Sequence, residues 1–173
     1  TENLSTLKIH KLTQKQYDEI ITVVGDYDAD GITSSAILKL LFDTLGANIN
    51  VRLPRRFSEG YGLSEKIIDE IDSGLLITVD NGIVAIDAIK KAKEKGLKVI
   101  VIDHHLGLED GTLPEADVVI DPNAIENSAT FNSYCGAGLS YKLAEAFLGS
   151  THPMMKKITS LAAIGTIADV MPL

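Results

Sequence analysis

Short runs of apolar residues recur along this chain, and three of them end in carboxylates or imidazoles. Ile20-Ile21-Thr22-Val23-Val24 leads into Gly25-Asp26-Tyr27-Asp28-Ala29-Asp30-Gly31, Leu75-Leu76-Ile77-Thr78-Val79 into Asp80-Asn81-Gly82, and Val99-Ile100-Val101-Ile102 into Asp103-His104-His105. Runs this short and apolar throughout read as strands buried on both faces. Helical patterns follow: strand Ile20 to Val24 precedes a helix over Ile32 to Leu45, Asn48 to Leu53 precedes Ser64 to Ile71, and Leu75 to Val79 precedes Ile83 to Lys95. Val99 to Ile102 and Val118 to Ile120 are further strands; Gly138 to Leu148 and Met154 to Ala168 are further helices. Strand alternating with helix predicts an α/β fold, a parallel, doubly wound β-sheet flanked by helices. Ligands of such sheets bind at the carboxyl ends of the strands, so all three polar clusters are expected on one edge.

Gathering that much charge has a cost. Two carboxylates about 5 Å apart repel by roughly 3 kcal/mol at an effective dielectric near 20. A bound divalent metal turns the repulsion into attraction, which points to a metal site and to hydrolysis of a phosphate ester. Asp103-His104-His105 is the most specific cluster. Adjacent histidines at a strand tip point to opposite sides, so one can ligate metal while the other faces substrate, and the aspartate can receive an imidazole N–H.

The other motifs each carry a plainer reading. Asp28 and Asp30 alternate, so both carboxylates point the same way in an extended segment; they also fit a loop with an N-capping aspartate. Asp80-Asn81-Gly82 also reads as a turn. Thr33, Ser34 and Ser35 sit where hydroxyls and free amides could hold a phosphate, and equally where a helix is capped. Gly136-Ala137-Gly138 opens a helix and fits either a phosphate loop or close packing. Arg55 and Arg56 fit a phosphate grip or surface charge. Asp169 reads as a helix-end residue. Ser64 is an expected N-cap, and Gly46 and Gly96 are expected to close helices.

The chain has 173 residues, 45% hydrophobic and 23% charged, enough for one globular domain with an aliphatic core. A net charge of −8 argues against a non-specific nucleic-acid surface, although acids that hold metal offset part of it. One cysteine, Cys135, excludes an internal disulfide and a CxxC zinc site and fits a reducing, cytoplasmic compartment. No apolar run reaches the ~20 residues of a membrane span, and no signal-peptide pattern opens the chain. It begins with Thr1 and ends at Met171-Pro172-Leu173, as expected of a piece of a longer protein. The least ordered stretches are expected at residues 1 to 15, Glu109 to Glu115 and Glu126 to Ser133.

Taken in order, Gly25-Asp26-Tyr27-Asp28-Ala29-Asp30-Gly31-Ile32-Thr33-Ser34, Glu59-Gly60-Tyr61-Gly62-Leu63, Thr78-Val79-Asp80-Asn81-Gly82-Ile83, Ile102-Asp103-His104-His105, Cys135-Gly136-Ala137-Gly138 and Gly165-Thr166-Ile167-Ala168-Asp169-Val170-Met171-Pro172-Leu173 resemble the DHH phosphoesterase superfamily, and within it the RecJ-like exonucleases. The resemblance implies an N-terminal segment over 1–20 and a DHH catalytic domain over 21–173, with the DHH-associated and OB-type domains of such proteins absent from this chain. It implies a metal-dependent phosphodiesterase that degrades single-stranded DNA from 5′ to 3′ in repair and recombination. Asp28, Asp30, Asp80, His104 and Asp169 would hold one or two Mn2+ or Mg2+ ions. His105 would contact the scissile phosphate, Asp103 would orient the neighbouring imidazole, and Asp80 would bridge the metals. Arg55, Arg56, Ser34, Gly136 and Gly138 would bind substrate. The sequence departs from the superfamily pattern at Val24, where a metal-binding His is usual. Two alternatives stay open: a phosphoesterase on oligonucleotides, cyclic dinucleotides or nucleotide bisphosphates, and an inactive scaffold that binds nucleic acid or a replication partner.

Overall fold

A computed structural model describes residues 19–123 and 131–172. The expected disorder at 1 to 15, and most of that at Glu126 to Ser133, lies outside the described residues. The elements run β1 (Ile20–Val24), α1 (Ala29–Thr44), β2 (Asn48–Arg52), α2 (Glu65–Asp69), β3 (Leu75–Val79), α3 (Ile86–Glu94), β4 (Lys98–Ile102), β5 (Val118–Ile120), α4 (Gly136–Leu148) and α5 (Met155–Ala168). All four strand pairings are parallel, in the order β2-β1-β3-β4-β5. The chain leaves β1 toward one edge and then crosses back to build β3 on the other side. The strand order therefore reverses between β1 and β3, where an open α/β sheet leaves a crevice.

Alternation of side chains explains why the strands are apolar throughout. Ile21, Val23, Ile77, Val79 and Ile102 face a core shared with Ile37, Leu38 and Leu41 of α1, Ala144 of α4 and Ile158 of α5. Val24, Leu76, Val99 and Val101 face a second core with Ile67 and Ile68 of α2 and Ala88, Ile89 and Ala92 of α3. The edge strands are blunted: β2 carries Asn48, Asn50 and Arg52, and β5 has three residues. Among the described residues no helix is long and apolar enough to cross a membrane.

Some local details differ from the expected pattern. Helix α1 starts at Ala29, because Asp28 is its N-cap and accepts the Gly31 N–H. Asp28 and Asp30 thus do not lie in one extended segment; Asp28 is exposed, whereas Asp30 is in the first helical turn and buried. Helix α3 starts at Ile86, three residues late, because Gly82 has φ 116° and the Ile83 N–H is taken by Asp103. Ser64 occupies the N-cap position of α2, but its hydroxyl makes no capping bond.

Leu41 is fully buried between α1 and the sheet. Leu41→Ala should cost about 2–5 kcal/mol through lost transfer energy and a residual cavity. Thermal unfolding should show a fall of ~2–4 °C per kcal/mol for a chain this size.

Candidate metal centre

The tips of β1, β3 and β4 meet the N-terminus of α4 and the C-terminus of α5. Asp80 follows β3 directly with φ 60°, a left-handed conformation that aspartate tolerates better than most residues. Its N–H still bonds to the Ile102 carbonyl, so the chain turns without losing its ladder. The turn brings Asp80 Oδ1 to 3.1 Å from His104 Nε2. Asp30 Oδ2 lies 3.8 Å and Asp169 Oδ2 3.7 Å from the same nitrogen. Asp169 is the C-cap of α5, a position whose chemistry is invisible along the chain.

Asp30 is also an anchor. Its carboxylate accepts the Gly136 N–H at 2.7 Å and the Ala137 N–H at 2.9 Å, using two of the free donors at the start of α4. Gly136 permits this approach, since a Cβ there would sit 2.7 Å from Asp80 Cβ. The Gly136 amide is therefore committed to Asp30 and is not a free phosphate donor. Gly138 packs its open side on Tyr134. Ser34 is fully buried, its hydroxyl beside Gly136. Arg55 and Arg56 are exposed on the β2–α2 loop, with the Arg56 guanidinium 5.2 Å from the Tyr27 ring.

Asp103 sits outside the ligand cluster. It accepts N–H bonds from Ile83 and His104, and its Oδ1 lies 2.7 Å from His105 Nδ1. Burial opposes its ionisation, but these donors outweigh it and hold the carboxyl below its usual range. The same hydrogen bond raises the His105 pKa. His104 is held from behind, where Asn123 Nδ2 donates to its carbonyl. Asn81 is a staple: its Nδ2 donates to the Val24 and Val79 carbonyls, and its Oδ1 accepts the Leu63 N–H.

Several atoms at the centre of the cluster are buried without a hydrogen-bond partner among the described residues: Asp80 Oδ1, His104 Nε2 and Asp26 Oδ2. Buried polar atoms are normally satisfied, and orphans that converge suit a cation. Among the described residues three sets fit one, with ligand atoms within 4.8 Å of one another: Asp80, His104 and His105; Asp30, His104 and Asp169; and Asp26, Asp28 and Asp80. Asp80 and His104 each serve two sets. Without a cation, three of these carboxyls resist ionisation. Asp80 is pushed up to about 10, first by burial and then by the Asp30 charge. Burial likewise raises Asp26 and Asp169.

Asp26 escaped assignment from the sequence, although it opens the Asp-x-Asp-x-Asp pattern. Tyr61, whose hydroxyl lies 3.2 Å from His105 Nε2, escaped as well. Val24 is corrected in the other direction. It is fully buried in the core of α2 and α3 with Leu63 and Ile67, so it is a packing residue. The set containing Asp28 and Asp80 is completed by a carboxylate, Asp26.

The N-terminal domain of the DHH family matches residues 20–166. The chain belongs to the DHH family. The single-stranded-DNA-specific exonuclease RecJ of Haemophilus influenzae is 40% identical over 172 residues, covering 91% of this chain and 30% of the relative. A crystal structure of exonuclease RecJ bound to manganese has a TM-score of 0.78 at 37% identity, over 90% of this chain and 40% of that one. RecJ from Thermus thermophilus in complex with Mn2+ has a TM-score of 0.72 at 34% identity, over 90% of this chain and 22% of that one. This DHH chain thus spans less than half the length of these relatives.

The raised Asp80 pKa has a sign. A carboxyl whose folded pKa lies above its unfolded value contributes stability below about pH 4 that is lost as pH rises toward 10. Asp80→Asn keeps the left-handed turn and removes the titration. It should stabilise the metal-free chain by on the order of 1–3 kcal/mol at pH 8, with little gain at pH 4. Melting curves at the two pH values check this.

Proposed function

We propose that residues 21–173 are the hydrolytic unit of a RecJ-like exonuclease, which uses Mn2+ or Mg2+ to cleave single-stranded DNA from the 5′ end. The observation that carries the reading is the convergence of the unpartnered Asp80 Oδ1 and His104 Nε2 with Asp30 and Asp169 at the β1/β3 crevice. Sequence identity of 37% to a RecJ bound to manganese supports the choice of metal and substrate.

The donors are chemically matched to the ion. Carboxylate oxygens with one imidazole suit manganese or magnesium rather than the thiolate-rich sites of zinc. Asp30, Asp80, His104 and Asp169 would hold one ion, and Asp26, Asp28 and Asp80 would hold a second, with Asp80 serving both. When bound, such ions make a nucleophile from water at neutral pH and neutralise charge on a phosphoryl oxygen. The protein's own contribution is to place and hold groups. Asp103 pins His105 Nδ1, which leaves Nε2 to donate to a non-bridging phosphate oxygen as its charge grows. Arg55 and Arg56 bring positive charge to the rim of an acidic domain, where a phosphate backbone can be gripped. Strand grip by further domains of a longer protein completes this proposal, and cytoplasmic residence goes with it.

In the presence of manganese, this chain should release mononucleotides from the 5′ end of labelled single-stranded DNA. Asp80→Ala should lower turnover by about a thousandfold or more while the fold survives. His105→Ala should lower kcat by roughly a hundredfold. Faster hydrolysis of a dinucleotide than of the long strand would move the assignment to a small-substrate phosphoesterase. Retained turnover in Asp80→Ala would remove the metal-bridging role.

A further inference from the structure

A continuous line of side chains connects the β2–α2 loop to the acidic cluster. Arg56 lies over Tyr27, Tyr27 meets Tyr61 edge to face at 6.2 Å, Tyr61 meets His105 edge to face at 5.9 Å, and the His105 and His104 rings are 4.4 Å apart. At the middle of this line the Tyr61 hydroxyl lies 3.3 Å from the Asp80 carbonyl oxygen and 3.2 Å from His105 Nε2.

That hydroxyl sits at the one ring nitrogen of His105 that Asp103 leaves free. A phenol has one hydrogen and two lone pairs. When it donates to the Asp80 carbonyl, its lone pair faces Nε2 and accepts the proton of a charged ring. When it donates to Nε2, it satisfies a neutral one. In both states the imidazole is held at two points, by Asp103 below and Tyr61 above, so its plane cannot swing about the Cβ–Cγ bond.

Tyr61 is itself tightly placed. Gly60 and Gly62 flank it with φ 81° and 60°. The Gly62 N–H bonds to Asp26, and the Leu63 N–H bonds to Asn81. The near end of the loop is closed by Arg52, whose guanidinium pairs with both oxygens of Glu59 and with Glu70. The Glu59 carboxyl is held down at about 2 by these bonds. The loop is thus a rigid arm carrying a phenol to the histidine.

We propose that Tyr61 is a positioning residue for His105, whose hydroxyl fixes Nε2 toward the place where the scissile phosphate lies. The proposal rests on the RecJ-like reading above for the identity of the substrate. A substrate oxygen reaching Nε2 shares its N–H with the phenol oxygen in a three-centre bond, and the Asp80 carbonyl keeps the phenol hydrogen satisfied.

Tyr61→Phe, which removes only the hydroxyl, tests it with two readouts. In nitrogen-15 spectra of the metal-free chain, the variant should move the His105 Nε2 signal and leave the His104 signals in place. In manganese-dependent hydrolysis of single-stranded DNA, kcat should fall about tenfold, the loss of one hydrogen bond, with KM within about twofold. Tyr61→Leu should fall further, since the ring contacts to Tyr27 and His105 go too. Unchanged His105 signals, unchanged kcat, or a loss carried by KM alone would each overturn the proposal. A wild-type chain inert on single-stranded DNA would remove the RecJ-like reading, while the imidazole spectra would still decide whether the clamp exists.

Discussion

Electrostatic repulsion among buried carboxylates is the constraint around which this domain is arranged. Asp26, Asp30 and Asp80 are almost fully buried within one crevice, with Asp28 and Asp169 at its margin. Left to themselves such groups would separate or take up protons. The fold keeps them together by giving some of them fixed donors. Two amides of α4 hold Asp30, the Gly62 amide holds one oxygen of Asp26, and the backbone turn at Asp80 is locked to β4. The buried oxygens left without a hydrogen bond, on Asp26 and Asp80, lie in sets of groups that could hold a cation.

The same arrangement divides labour between the two histidines. They are adjacent in sequence, yet their surroundings differ. His104 is buried among Asp30, Asp80 and Asp169, its Nε2 facing their carboxylates without a hydrogen bond. His105 is half-exposed and touches Asp103 and Tyr61. One imidazole thus suits ligation and the other suits contact with a charged substrate. Asp103 makes the division possible, because the His105 ring and the Ile83 and His104 amides hold its carboxyl below its usual range while it fixes the neighbouring ring.

The apolar interior and the polar edge depend on each other. Each strand splits its side chains between two helical layers, so both faces are sealed and the strand tips are the place left for chemistry. Val24 illustrates the boundary. It stands one residue before the acidic loop, yet it belongs to the core of α2 and α3, and the carboxylate two residues later takes the place at the cluster.

Local pattern alone was enough for the parallel sheet, the strand positions and the shared edge of Asp28, Asp80 and Asp103-His104-His105, because apolar periodicity and the rule of strand carboxyl ends are short-range signals. Resemblance to known motifs supplied what periodicity could not, namely Asp169 as a ligand candidate. Only the tertiary structure decided the rest. Asp30 and Gly136 are 106 residues apart and meet by a hydrogen bond; Tyr61 reaches a histidine 44 residues away; and Gly136 is a close-approach residue whose Cβ would meet Asp80. These facts arise from packing between distant segments, and no window of sequence contains the geometry that produces them.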